Sequence, residues 1–448
     1  MRFIFASLLL SASLSFGTAH ATPRLHAVGG QAVGVQEVNV RDMSAWLVSE
    51  ASLPIFTLEM AWQGGAATDP AQKTGLSMLM ARLMNEGAGD MPAKAFQQAL
   101  ADKAISLSFN AGRDEVTGKL RCLKRYQDAC VRLLKLALTA PRFDPEAIAR
   151  MKQEQTSSIL RAQQSPSALA NSAFMKLAFD KHPYGQSRDG TQATLEGLTR
   201  DDIVAHYQNT FARDNLKLAV VGDMTRSQTR RLMRDVFAAL PAHARLPRVA
   251  DTLAILGPKT KHIERRGPQT SVTFGHRGIA YDDELFFPAF VMNSILGGSG
   301  FSSRLTEEVR EARGLAYSVY SYFLSLEHSH LWLGSVASDN KTTQQALDVI
   351  RGEMRRIAQE GVDLSRLEAA KTYMTGAYAL RFDSGAKIAQ QLIGVQLSGW
   401  PIDYFKTRNQ RIEAVRVEDV KAAAQRLLAD GLLVVSVGET AVSLAKQR

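Results

Sequence analysis

The sequence predicts an α+β fold made of two homologous halves, each an α/β sandwich whose largely antiparallel sheet is packed with helices. Three observations predict it. A chain of 448 residues exceeds what a single hydrophobic core organises, so two domains are expected. Strand and helix patterns mix irregularly instead of alternating as βαβ units, which points to α+β layers. Residues 195–224 and 412–440 also match in element order: capped helix, short break, apolar strand, then Gly and an acid. Asp202 aligns with Asp419 and Gly222 with Gly438, about 216 residues apart, a period that means two copies of one domain. The expected units are residues 22–240 and 260–448, joined by a proline-containing linker at 241–259.

Residues 1–21 carry one Arg, an apolar run from Phe3 to Phe16 and small residues at Ala19 and Ala21, the layout of a cleavable secretory signal. No later run approaches the roughly 18 apolar residues that span a bilayer, so a periplasmic protein without stable membrane insertion is expected. In residues 53–63, alternation places Phe56, Leu58, Met60 and Trp62 on one face of a half-buried strand that Gly64 and Gly65 end. A helix from about Pro70 stops at Gly87. Helical patterns at 93–101, 127–138 and 145–162 surround a strand pattern at 105–120.

The densest local signals lie at residues 293–323. A helix at 284–296 ends at Gly297 and Gly298, and Ser302 or Ser303 can cap a second helix, with Leu305 and Val309 on one face, that runs to Gly314. The next run puts Tyr317, Val319, Ser321 and Phe323 on one face of a strand. Arg310 and Tyr317 thus flank a turn. As donors they can converge on one acceptor oxygen; alternatively, Arg310 offsets the helix dipole and Tyr317 packs. By position, the helix at 75–87 corresponds to the one at 303–314, each being early in its half.

Composition and motif searches exclude several classes. The net charge is +10, but Lys and Arg are interspersed with acids, a solvated basic surface and not a nucleic-acid groove. Cys122 and Cys130, the only cysteines, either close a short disulfide or stay as buried thiols; alone they are half a zinc site at best. Ser384 to Lys387 fits S-x-x-K and Lys73 to Gly75 fits K-T-G, but the order is reversed and no S-D-N lies between, so both are chance matches. The GGSGF loop is neither a nucleophile elbow nor a phosphate loop and reads as flexible backbone. None of the nine histidines belongs to an H-E-x-x-H or H-x-x-E-H motif. His328 and His330, on one strand face beside Glu327, could bind zinc, a surface strand being the plainer reading.

Several segments, GLSMLMARLMNEG from Gly75, FDPEAIARMKQEQ from Phe143, HPYGQSRDGT from His182, LAVVGDM from Leu218 and NSILGGSGFSSRLTEEVREARGLAYSV from Asn293, together resemble the pitrilysin/insulinase family of zinc peptidases. The likeness is to its short bacterial form, related to mitochondrial processing peptidases, and covers essentially all of the chain beyond the signal. In catalytic members the early helix reads G-L-x-H-x-x-E-H, with two histidine ligands and a glutamate that activates water. Those positions here are Met78, Ala81 and Arg82, and the glutamate ligand of a later helix falls on or near Ser158, with Glu154 one turn early. No histidine lies between His26 and His182, so no shift of register restores the motif. Arg82 sets a permanent cation where a dication should bind, and no metal is expected in this chain.

The resemblance also implies that Arg310 and Tyr317 hold the substrate backbone and its developing charge, next to a substrate loop of Gly297, Gly298, Ser299 and Gly300. Short members of the family divide labour between two subunits. A non-catalytic, substrate-binding subunit of an exported heterodimeric zinc endopeptidase is therefore implied. An H-x-x-E-H partner would bring zinc, and peptides or unfolded proteins would pair with a strand edge. Two other readings stand beside it: a non-enzymatic peptide-binding or scaffold protein of the envelope, and a zinc peptidase with ligands such as His328 and His330.

Overall fold

A computed structural model describes residues 34–298, 303–428 and 431–444. The expected signal at 1–21 and the loop residues Ser299 and Gly300 lie outside the described residues. The first half runs β1 (Gln36–Val40), β2 (Met43–Ser49), β3 (Ile55–Gln63), α1 (Leu76–Leu83), β4 (Gly87–Ala88), β5 (Met91–Pro92), α2 (Ala93–Ala101), β6 (Ser106–Ala111) and β7 (Glu115–Leu123). It continues with α3 (Gln127–Thr139), α4 (Pro145–Gln164), α5 (Pro166–Phe179), α6 (Gln192–Gly197), α7 (Arg200–Thr210), β8 (Leu216–Gly222) and α8 (Arg226–Phe237). The second half runs β9 (Lys259–Glu264), β10 (Gln269–Arg277), α9 (Phe286–Gly297), a π-helical turn at Thr306–Glu311, β11 (Ala316–Leu326) and β12 (Ser329–Asp339). It closes with α10 (Thr343–Glu360), α11 (Leu364–Gly376), α12 (Gly385–Leu397), α13 (Tyr404–Glu413), α14 (Val417–Leu428) and β13 (Leu433–Gly438).

The two main sheets repeat one another. The first has the order β1-β2-β8-β3-β7-β6 and the second, read from its other end, β9-β13-β10-β12-β11. Strand for strand, β2, β8, β3, β7 and β6 match β9, β13, β10, β12 and β11, with β2–β8 and β9–β13 as the parallel pairs. The residues that signalled the repeat occupy equivalent places. Asp202 and Asp419 each sit in the first turn of a helix and accept from the cap amide, Thr199 N at 2.9 Å and Arg416 N at 2.9 Å. Gly222 and Gly438 end β8 and β13.

Topology corrects one expected equivalence. Both β3 and β10 are followed by a turn and then a helix, so α1 corresponds to α9, not to the segment at 303–314. That segment precedes a hairpin and matches α2. Position along each half misled because the first half holds an extra strand, β1, and because both helices are short. The strand pattern at 105–120 also resolves into two strands, β6 and β7, paired as a hairpin.

Long helices cross between the halves. Helix α5 of the first half buries Ala170, Phe174, Met175, Ala178 and Phe179 against Leu331, Leu333, Leu433, Val435 and Val437 of the second sheet. Reciprocally, α12 sets Ala389, Leu392, Ile393 and Val395 on Trp46, Ala61, Ala219 and Val221 of the first. This explains why β3 is buried on both faces and not half-buried: α12 covers the side opposite Phe56, Leu58, Met60 and Trp62. Residues 241–258 contain no helix or strand, yet Thr252 N donates to His328 O at 2.9 Å and Ile255 N to Ala178 O at 2.7 Å. Cys122 of β7 and Cys130 of α3 form a disulfide, which resolves the alternative left by the sequence.

Candidate functional site

Helix α1 begins where Asp69 gathers its free amides. The buried Asp69 carboxylate accepts from Gly75 N at 2.9 Å, Ser77 N at 3.0 Å and Ser77 Oγ at 2.6 Å, which satisfies the first turn in the manner of a cap. Ser77 Oγ also lies 2.8 Å from His206 Nε2 of α7. Burial pushes Asp69 up to about 6 despite its donors and pushes His206 down to about 4, so at neutral pH the imidazole is uncharged. With Ser77 wholly buried and the hydroxyl lying between carboxylate and imidazole, this is a pin between helices and not a nucleophile.

The positions that the resemblance marks as a degenerate motif continue the helix. Met78 is buried and Ala81 fully so, both within the first-half core, while Arg82 is half-buried. On α4, Gln155 meets the start of α1: its amide donates to Gly75 O at 3.1 Å and Asp189 O at 2.9 Å. Glu154 is exposed, and half-buried Ser158 accepts from Arg161 Nη2 at 3.5 Å. A thioether, a methyl group and a guanidinium do not fit a zinc ion. Among the described residues no group of three or more His, Cys, Asp or Glu side chains is arranged to hold a metal. His328 and His330 do not share a strand face. His328 sits in the β11–β12 turn, with Nδ1 2.9 Å from Asp251 Oδ1, whereas His330 on β12 has its Nδ1 buried without a partner.

The segment from Asn293 onward is tightly held. Asn293 Oδ1 accepts from Trp332 Nε1 at 2.7 Å and Ser321 Oγ at 2.8 Å, and its amide donates to Ser321 O at 3.2 Å, tying α9 to β11 and β12. Gly297 is a packed residue and not a flexible one: a Cβ there would lie 2.5 Å from Ser321 Oγ. Ser303 caps the next helical turn through Thr306 N at 3.4 Å, and Leu305 and Val309 are both fully buried, as expected. The turn itself is π-helical, with Ala312 N bonded to Glu307 O at 2.8 Å. It closes when Leu315 N reaches Val309 O and Gly314 N reaches Arg310 O, Gly314 adopting φ 61°.

Beyond Gly314 the alternation is broken. Ala316 pairs with Ser338 and Ser318 with Ala337, so Tyr317 is the extra residue of a β-bulge. The bulge swings Tyr317 off the inward face of Val319 and Ser321 and leaves it 82 % exposed. The Arg310 guanidinium carbon stands 5.3 Å from the centre of its ring, a cation–π contact. Arg310 and Tyr317 are thus brought together at the start of β11, the edge strand of the second sheet. Met78, Ala81 and Arg82 belong to a helix packed on β6, α4 and α7.

Two family descriptions match the chain in succession: insulinase (peptidase family M16) over residues 47–192 and peptidase M16 inactive domain over 197–374. The chain belongs to the M16, or insulinase, family. A solved M16 inactive domain from Pseudomonas fluorescens superposes with TM-score 0.85 at 26 % identity, covering 92 % of this chain and all of that one. A protease structure from Helicobacter pylori shares the fold, with TM-score 0.83 and 15 % identity over 91 % of this chain and all of that one. Among curated M16 relatives, a non-peptidase homologue, YmxG, of Helicobacter pylori is 24 % identical across 86 % of this chain and 89 % of its own length. A probable mitochondrial-processing peptidase subunit beta of Schizosaccharomyces pombe is 21 % identical, covering 85 % of each.

Sequence reasoning missed the Asp69, Ser77 and His206 pin and Gln155. An acid ahead of a helix was a visible signal for Asp69. Nothing local announces His206, which arrives from α7, 129 residues beyond Ser77.

Proposed function

We propose that this M16 chain is the non-catalytic, substrate-binding subunit of a heterodimeric zinc endopeptidase. One observation carries the reading. The α1 positions that hold metal chemistry in catalytic relatives are buried Met78 and Ala81 with Arg82, while half-buried Arg310 and exposed Tyr317 stand together beside a strand edge. The partner would supply zinc and the general base. This chain's part is to hold an extended peptide along β11 and to present guanidinium and phenol donors to the carbonyl that gains charge. Gly297 and Gly298, at the end of α9, border that edge in this reading. Export to an oxidising compartment belongs to the same proposal, and the Cys122–Cys130 disulfide supports it.

The test is peptide hydrolysis by a purified complex with an H-x-x-E-H chain of the family. Losing one such donor typically lowers turnover by about 10²–10³-fold, so Arg310→Ala and Tyr317→Phe should each fall in that range with the complex intact. Full activity of the double variant in a verified complex would sink the assignment. The likeness to a non-peptidase homologue favours a second reading, a peptide-binding scaffold without any catalytic partner. A chain that binds peptides as a homodimer and draws no zinc-bearing partner from its native extract fits only that one.

A further inference from the structure

The basic residues that look scattered in the sequence are gathered by the fold. Helices α3 and α8 lie side by side and bury their apolar faces in one core, through Leu133, Leu134 and Ala137 on α3 and Leu232, Met233 and Val236 on α8. Their outward faces carry Arg132 and Lys135 on α3 and Arg226, Arg230, Arg231 and Arg234 on α8, all exposed, with exposed Arg125 just before α3. Asp128 and Asp235 are the acids on these two outward faces. Seven cations less two carboxylates leave a surplus of five on this face, half of the chain's net +10.

These cations stand without the carboxylate that several others face. Arg142, Arg213, Arg304 and Arg426 each face a carboxylate, Asp144, Asp42, Glu353 and Asp283 respectively. Among the described residues, Arg132, Lys135, Arg230, Arg231 and Arg234 make no ion pair, although Asp128 and Asp235 share their helices. An apolar group stands at the rim. Residues 51–54 form an exposed loop with Leu53 64 % exposed, and Pro54 O accepts from Lys124 N at 2.8 Å, which fixes the loop against the start of α3.

We infer that the α3/α8 face, with Leu53 at its edge, docks this protein on the surface of an anionic phospholipid bilayer. Charge complementarity supplies the attraction, about a fivefold gain in affinity for each Lys or Arg that reaches the headgroup layer. The protruding Leu53 favours a lipid surface over a soluble polyanion, because only a bilayer offers an apolar layer beneath its phosphates. Among the described residues no helix is long and apolar enough to cross a membrane, so the contact is peripheral.

Sedimentation of the full chain with vesicles of one part phosphatidylglycerol to two parts phosphatidylcholine tests this. Binding is expected to those vesicles, not to pure phosphatidylcholine, and should fade as salt is raised. The triple variant R230S/R231S/R234S should bind about a hundredfold more weakly. Replacing the same three residues by Lys should retain binding, and Leu53→Ser should weaken it at unchanged charge. A control triple on the second half, Lys341→Ser, Arg355→Ser and Lys406→Ser, should bind as the unaltered chain does. Absence of binding at low salt overturns the inference, as does equal loss in the control triple. Equal affinity for heparin with no effect of Leu53→Ser assigns the face to soluble polyanions and overturns the lipid assignment.

Discussion

Replacing Phe174 by Ala tests whether the crossed helices make the two halves one cooperative unit. Phe174 belongs to the first half by sequence but is fully buried against the second sheet, above Gly275, where a Cβ would meet its Cζ at 2.8 Å. Burying a phenyl ring of roughly 200 Å² at about 25 cal/mol per Å² is worth about 5 kcal/mol as an upper bound. Truncating such a ring in a packed core costs about 3–5 kcal/mol, a large share of the roughly 5–15 kcal/mol that holds a domain folded. Hydrogen exchange across a urea series, read separately in β3 and β10, is the assay. Both strands should lose protection at one denaturant concentration, lowered together in the variant. The reasoning fails if β10 opens alone while β3 keeps its protection, or if the loss stays below about 1 kcal/mol.

Three other contacts carry expectations of their own. Removing the disulfide with Cys122→Ala and Cys130→Ala should cost about 2–3 kcal/mol by chain entropy, since its loop is short, and chemical denaturation with and without reductant measures it. Burial first, and then the Asp114 charge, push Glu115 up from 4.5 to about 7, so the folded state keeps a proton that the unfolded state has lost. The associated stability is present below about pH 4.5 and lost as pH rises through 7; Glu115→Gln should therefore gain about 2–3 kcal/mol near pH 8 and almost nothing near pH 4, as paired urea titrations would show. Gly314→Ala meets no atom within 4 Å but must hold φ 61°, so a loss of about 1 kcal/mol is expected in thermal unfolding, and an unchanged midpoint would speak against the turn as described.

Much of the fold could be read locally. The helices at 93–101, 127–139 and 145–164 announced themselves by period and punctuation, and Asp202, Asp419, Gly222 and Gly438 revealed the duplication because caps and strand ends leave residue-specific marks. What escaped depends on distant partners. The burial of β3 on both faces needs α12, more than 300 residues away, and no pattern within 53–63 records it. The bulge at Tyr317 defeated the period-two count because one inserted residue shifts the alternation without any change of composition. Of the candidate site, Met78, Ala81 and Arg82 could be singled out in the sequence only through the resemblance, whereas the pin of Asp69, Ser77 and His206 is assembled only by packing.

The bulge has a bearing on solubility. Strand β11 is an eleven-residue edge with exposed Tyr317 and Tyr320, the kind of border along which identical molecules zip together into sheets. Doubling one position against β12 twists the border at its start and breaks the even row of amides that a second copy would need to run alongside in full register. Only the stretch from Ser318 to Leu326 keeps regular spacing, long enough to accept a short extended visitor yet too interrupted to template an indefinite stack.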